Sequence, residues 1–157
     1  MSTPLNQFTP DQEAWLQLLE SGKHKQGRLR LKQSKGEGVC YCCLGLACEF
    51  VLKLPNGPSV VNPDSFEFTG PLNRFEQSVL PYIDDEYTAP MEFYGAAGDI
   101  APEFREGFSD AMRKAGFLHV NLWSSLAEYN DHEATFAQIA AAIRAMPWAV
   151  FKNFKAP

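Results

Sequence analysis

Between residues 10 and 22 the chain reads PDQEAWLQLLESG, which puts Ala14, Trp15, Leu18 and Leu19 on one face of a helix. Thr9 is placed to cap that helix and Pro10 suits its first turn. Gln12, three residues after Thr9, completes a capping box, and Gly22 ends the helix. The period then changes. In GRLRLKQSKGEGVCYC, Leu29 and Leu31 alternate with Arg28, Arg30 and Lys32, a two-residue period that predicts a strand. Gly36 and Gly38 mark a turn, and a second short strand follows around 39–42. From Cys43 the pattern is helical again. Leu44, Leu46, Ala47, Phe50, Val51 and Leu54 are available for burial until PNGP at 55–58 stops the helix.

Residues 55–101 are punctuated by proline and glycine, with a short helix predicted over 71–80 and a short strand at SFEF, 65–68. A structureless stretch of that length is uncommon in a compact domain, so an ordered insertion or lid is expected. Helical spacing returns at Pro102, with Phe104, Phe108, Ala111 and Met112 on one face and Gly116 as the stop. FLHV at 117–120 reads as a short strand or as a turn into a helix over NLWSSLAEY. Thr135 and Gln138 make a second capping box, and Phe136, Ile139, Ala140 and Ile143 form the stripe behind it. The closing MPWAVFKNF is apolar enough to dock on the core or on a second subunit. Together these elements predict an α+β fold. It is a mostly helical single domain over 1–157, with a small antiparallel hairpin or sheet near the N-terminal third. The frame lies at 9–54 and 102–146, on either side of the irregular 55–101.

Composition narrows the function classes. A chain of 157 residues with 45% hydrophobic and 13% aromatic residues fits one domain with a substantial core. The opening MSTPLNQFTPDQEAW lacks a basic segment followed by an apolar run, and nowhere are about 18 apolar residues consecutive. A cytoplasmic protein with no membrane partner is therefore expected, its cysteines free thiols. The net charge of −5 argues against a general nucleic-acid binder. Charge is unevenly spread, however. Six of the 14 basic residues (Lys23, Lys25, Arg28, Arg30, Lys32, Lys35) fall in 23–35 with no acid among them, while 11 of the 19 acids fall in 64–110. Such a basic segment attracts a phosphate-bearing ligand or an acidic partner surface. It would equally serve to keep an exposed sheet edge soluble.

The four cysteines, Cys40, Cys42, Cys43 and Cys48, sit within nine positions at the predicted strand-to-helix junction. Structural zinc needs ligand pairs converging from two knuckles. These four are too crowded, and His24, His119 and His132 form no metal-like pair. Two readings remain. As small buried hydrophobes the thiols would fill a tight junction. Alternatively, Cys43 at a helix start would be a nucleophile, its thiolate favoured by the helix dipole. Gln26 upstream, then Cys43, then His119 and Asn121 or Asp131 repeat the chain order of papain-like enzymes. In that order glutamine assists the oxyanion, histidine is the base, and an Asn or Asp orients it. Asn130 and Asp131 suit a turn between two helices, or would grip a polar ligand while Lys25, Gln26 and Arg28 take its anionic part. There is no Walker loop and no dinucleotide fingerprint, and no cofactor is called for.

Trp15, Ser21-Gly22, Gln26-Gly27, Cys42-Cys43-Leu44-Gly45, Cys48, Asn130-Asp131, Phe136, Ile139 and Ala140 occur in an order that resembles a family of small proteins encoded by bacteriophages and prophages. The likeness covers about 12–50 and 116–145. His24-Lys25 stands where that pattern has an aromatic residue, and Cys40 is additional. The resemblance implies an accessory role in the host cytosol and no known reaction. The expected function is binding of a host protein or of a small anionic ligand of the nucleotide kind, with countering host defence as its purpose. A hydrolase or transferase using Cys43 is the alternative from another class. A structural or assembly role, as a homo-oligomer through the apolar tail, is the third.

Overall fold

The computed structural model describes residues 3–36, 38–60, 62–68, 89–95, 97–119 and 121–157. The helix expected over 71–80 lies outside them.

Helix α1 (Pro10–Ser21) begins at Thr9, whose hydroxyl accepts from the Gln12 N–H while the Gln12 side chain accepts from the Thr9 N–H. It ends at Gly22, whose φ of +67° only glycine adopts without cost. Its buried face is Gln12, Trp15, Leu16 and Leu19, one step round from the expected stripe. Ala14 and Leu18 are therefore left to line a groove of about 470 Å3 against Phe50 and Val51.

After α1 the chain lays down β1 (Lys25–Gln26), β2 (Lys32–Lys35) and β3 (Gly38–Tyr41). β3 is central, parallel to β1 and antiparallel to β2. Helix α2 (Cys43–Leu46) follows at once, capped by the Cys42 sulfur accepting from the Gly45 N–H, and runs on as a π-helical turn at Ala47–Val51. Gly45 is required there because a Cβ would collide with the Leu31 carbonyl oxygen. The hairpin β4 (Asn56–Pro58) and β5 (Phe66–Phe68) joins the first sheet through a bridge between Gln33 and Ser65. Lys32, expected on the wet side of its strand, is only 9% exposed. Its ammonium pairs with Glu49 at 3.1 Å, donates to the Asn56 oxygen at 2.7 Å, and lies 4.4 Å from the Phe66 ring centre.

A single 3-10 turn at Pro102–Phe104 leads into α3 (Arg105–Lys114), and Phe108, Ala111 and Met112 turn inward as their spacing requires. The segment 117–119 is irregular. Helix α4 (Leu126–Asp131) starts only at its Ser125 cap, so the helix expected from residue 121 is shorter than its pattern. Asn130 and Asp131 accordingly close a helix and do not form the turn after it. Helix α5 (Phe136–Ala145) has the Thr135–Gln138 capping box, and its stripe of Phe136, Ile139, Ala140 and Ile143 is buried between α1 and α3. Arg144 bonds Glu13 and Glu20 together, tying α5 to α1. The C-terminal segment docks on its own chain. Val150, Phe151 and Phe154 are buried there, and Phe151 meets Trp15 and Phe93 ring to ring. An apolar tail free for a second subunit is not what these side chains present.

The chain is thus α+β with small sheets on the N-terminal side. One core runs from Trp15 through the cysteine junction to Phe108, Tyr129 and Ile139.

Candidate functional site

The motif residues of the two halves meet in one buried polar network. Gln26 at the end of β1 donates from Nε2 to the Asn130 Oδ1 at 2.9 Å and to the Ala134 carbonyl at 2.7 Å. Its own oxygen accepts the Phe136 N–H at 3.2 Å, at the start of α5. Asn130 Oδ1 also accepts the Cys43 N–H at 3.1 Å, and its Nδ2 donates to the Gly27 carbonyl at 2.8 Å. From the opposite side the Trp15 indole N–H donates to the Cys43 carbonyl at 2.8 Å. Asn130 is fully buried, so its bonds to Cys43 and Gly27 replace water that the fold has removed, while Gln26 is half-buried. Gln26 and Asn130 have their polar groups engaged within the chain.

Asp131 works one step further out. Its Oδ1 accepts the Leu29 N–H at 2.8 Å, while its Oδ2 is buried without a hydrogen-bond partner among the described residues. Burial raises its pKa above the ordinary carboxylate value, against the lowering pull of the Leu29 N–H, the Asn130 carboxamide, His132 and Arg28. Arg28 pairs with Glu133 at 3.2 Å, both side chains well exposed, and Lys25 is exposed on β1.

The cysteines take another role. Cys43 does open the helix, but its thiol is completely buried and lies 3.8 Å from the Leu126 carbonyl, toward which it points its weak donor. Burial pushes its pKa well up, with the nearby Cys42 and Asp131 adding to the effect. Burial also pushes Cys42 up to about 12, and it raises Cys48 well above the usual thiol range. A four-residue helix adds little dipole to oppose this. A nucleophile needs the reverse shift and an open approach. His119 is not brought to Cys43. Its ring stacks on Phe117 at 4.7 Å and lies 5.7 Å from Trp123. Asn121 is exposed in the irregular segment before α4. Among the described residues no group of three His, Cys, Asp or Glu side chains could hold a metal ion, and no helix is long and apolar enough to cross a membrane.

Three further residues take part, of which Gln33 and Glu133 have no sequence pattern to mark them and Leu29 has a misleading one. Gln33 donates from Nε2 to the Arg28 carbonyl at 3.0 Å, Glu133 pairs with Arg28, and Leu29 stands 48% exposed with a φ of +64°. The alternation of Leu29 with arginines pointed to a strand, whereas β2 begins only at Lys32. The His24 ring lies tilted against Phe50 at 4.4 Å and meets Tyr41 edge-on.

A family model described as a domain of unknown function (DUF8296) matches residues 11–147, and the chain belongs to that family. No curated protein matches the chain, and neither does any solved structure.

Proposed function

We propose that this chain is a phage-type accessory protein that acts by binding an acidic host protein through its basic segment, and not by chemistry at its cysteines. One observation carries the reading: the side chains of Asn130 and Asp131 are engaged on the backbone of residues 27, 29 and 43, with Gln26 bracing Asn130 and the start of α5 behind them, and so hold an exposed arginine-bearing loop. Groups that brace a loop from behind are not open to a small ligand, which favours a protein partner over a free anion. The buried thiol of Cys43 lends nothing to a hydrolase reading. The motif likeness to phage and prophage proteins supports the accessory role, and blunting a host defence is the purpose such binding would serve.

The test is native mass spectrometry of the chain purified at low ionic strength from bacterial cells that express it, beside a Lys25→Ala/Arg28→Ala variant. The expected result is a co-purified protein that is lost from the variant and released by salt. A bound small anion would move the reading to a ligand carrier. A bare wild-type chain with one rapidly alkylated thiol would overturn it in favour of cysteine chemistry.

A further inference from the structure

We infer that the loop Arg28-Leu29-Arg30 is a preformed docking knob, with Leu29 the anchor that enters an apolar pocket rimmed by carboxylates on a partner protein. The inference rests on the binding reading above and assigns its contact. Leu29 occupies the left-handed region at φ +64°, a conformation that glycine or asparagine takes readily and a leucine does not. Strain of this kind persists only where the surroundings over-determine it. Here they do. Three consecutive backbone groups are each held by a side chain from another element: the Gly27 carbonyl by Asn130, the Arg28 carbonyl by Gln33, and the Leu29 N–H by Asp131.

Both ends of the loop are pinned as well. The Gly27 N–H donates to Tyr41 at 2.7 Å, and a Cβ on Gly27 would stand 2.8 Å from the Cys40 sulfur. At the far end Leu31 is fully buried and its carbonyl accepts the Cys42 N–H at 3.2 Å. A loop fixed so completely still sends its one large apolar side chain into water, with an arginine on either side. Internal packing does not explain that choice, and recognition does. A rigid loop loses little conformational entropy on binding, and arginine is enriched at protein interfaces. Charge sets the partner's chemistry. Of the six cations in 23–35, Lys32 is buried against Glu49, but Lys23, Lys25, Arg28 and Lys35 are exposed, and no acid lies within the segment. The exposed Arg28–Glu133 pair is of the weakly coupled surface kind, which a carboxylate on the partner can displace.

The experiment places a benzophenone amino acid at position 29 of the full chain in bacterial cells, with the same group at Val60, which is 94% exposed, as the control. The expected result is one protein adduct from position 29 that is absent at Val60. Affinity of the purified adduct protein for the wild-type chain should then fall tenfold or more with Leu29→Gly and with Leu29→Asn. Both residues tolerate the left-handed backbone, so the melting temperature should stay at or above that of the wild type. Equal cross-linking at both positions, or affinity unchanged by either variant, would overturn the inference. So would a drop in melting temperature with both variants, because it would make Leu29 a packing residue. If Lys25→Ala/Arg28→Ala weakens binding while Leu29→Gly does not, the binding reading stands and the anchor falls. If neither matters, both fall.

Discussion

The Asn130 carboxamide oxygen lies 3.1 Å from the Cys43 backbone nitrogen, across a separation of 87 residues, and the same oxygen accepts from the Gln26 side chain. One side chain therefore joins α4 to the first turn of α2 and, through its Nδ2, to the end of β1. Asn130→Ala would leave the Cys43 N–H and the Gly27 carbonyl without that partner. Each such orphan costs about 1–3 kcal/mol where water cannot enter. The variant is expected to lose about 3 kcal/mol or more in urea denaturation. Asn130→Asp restores the acceptor, removes the donor to Gly27 and buries a charge, so it is not expected to rescue. A loss below about 0.5 kcal/mol for Asn130→Ala, the range of ordinary surface substitutions, would show that the network is incidental.

Gly45 is expected to be the least replaceable residue of the Cys-Cys-Leu-Gly run. A Cβ there meets backbone, the Leu31 carbonyl carbon at 2.6 Å and its oxygen closer still, and backbone gives way at greater cost than a side chain does. Gly27 is tight against side-chain atoms of Cys40 and Gln33, which are able to shift. Gly45→Ala should therefore destabilise by roughly 3 kcal/mol or more, or prevent folding, with Gly27→Ala the milder of the two. Comparable denaturation midpoints for the two would contradict this ordering.

What could be read from the sequence was what is encoded locally. The two capping boxes need only residues three apart, and α1 and α5 start at Thr9 and Thr135 as those boxes require. The α5 stripe follows from its period, and the hairpin of β2 and β3 from its glycine turn. The network joins Gln26 to Asn130 across 104 residues, and no periodicity carries that information. In the sequence Gln26 reads as a ligand or oxyanion group and Asn130 as a turn residue or a ligand grip, because an unpaired carboxamide looks available until its partners are known. Leu29 misled for the opposite reason. Its alternation with arginine is a strand pattern, but Asp131 holds its N–H in a left-handed turn, so the side chain that periodicity would bury faces water.

The thiols should behave as packing groups. With Cys42, Cys43 and Cys48 fully buried and their pKa values raised by burial, alkylation of the folded chain at pH 8 should be slow at all three. Labelling should become fast only in denaturant. Peptide-resolved mass spectrometry after timed iodoacetamide pulses reads each site. One of these thiols reacting far faster than the others in the native protein would restore the cysteine-enzyme reading.

Asp131 and Glu13 should respond to acid in opposite senses. Glu13 is held below the ordinary carboxylate range mainly by its hydrogen bond from Arg144, so it holds its proton less tightly folded than unfolded. Its contribution is complete above the unfolded value and is lost as pH falls through the folded one. Because both partners are about a third exposed, that contribution is small and screened by salt. Asp131 is shifted up by burial, so the folded chain holds its proton more tightly than the unfolded chain does. Above its folded pKa the ionised form bears the whole cost of desolvation. As pH falls through that value the cost disappears and the wild type gains stability from this group. Asp131→Asn cannot make that gain. Measured by urea denaturation between pH 7 and pH 4, the stability difference should move in the wild type's favour against Asp131→Asn. Against Glu13→Gln it should move the other way. A difference from Asp131→Asn that is flat across this range would mean that Asp131 is solvated in the fold and that its grip on Leu29 is not a buried one.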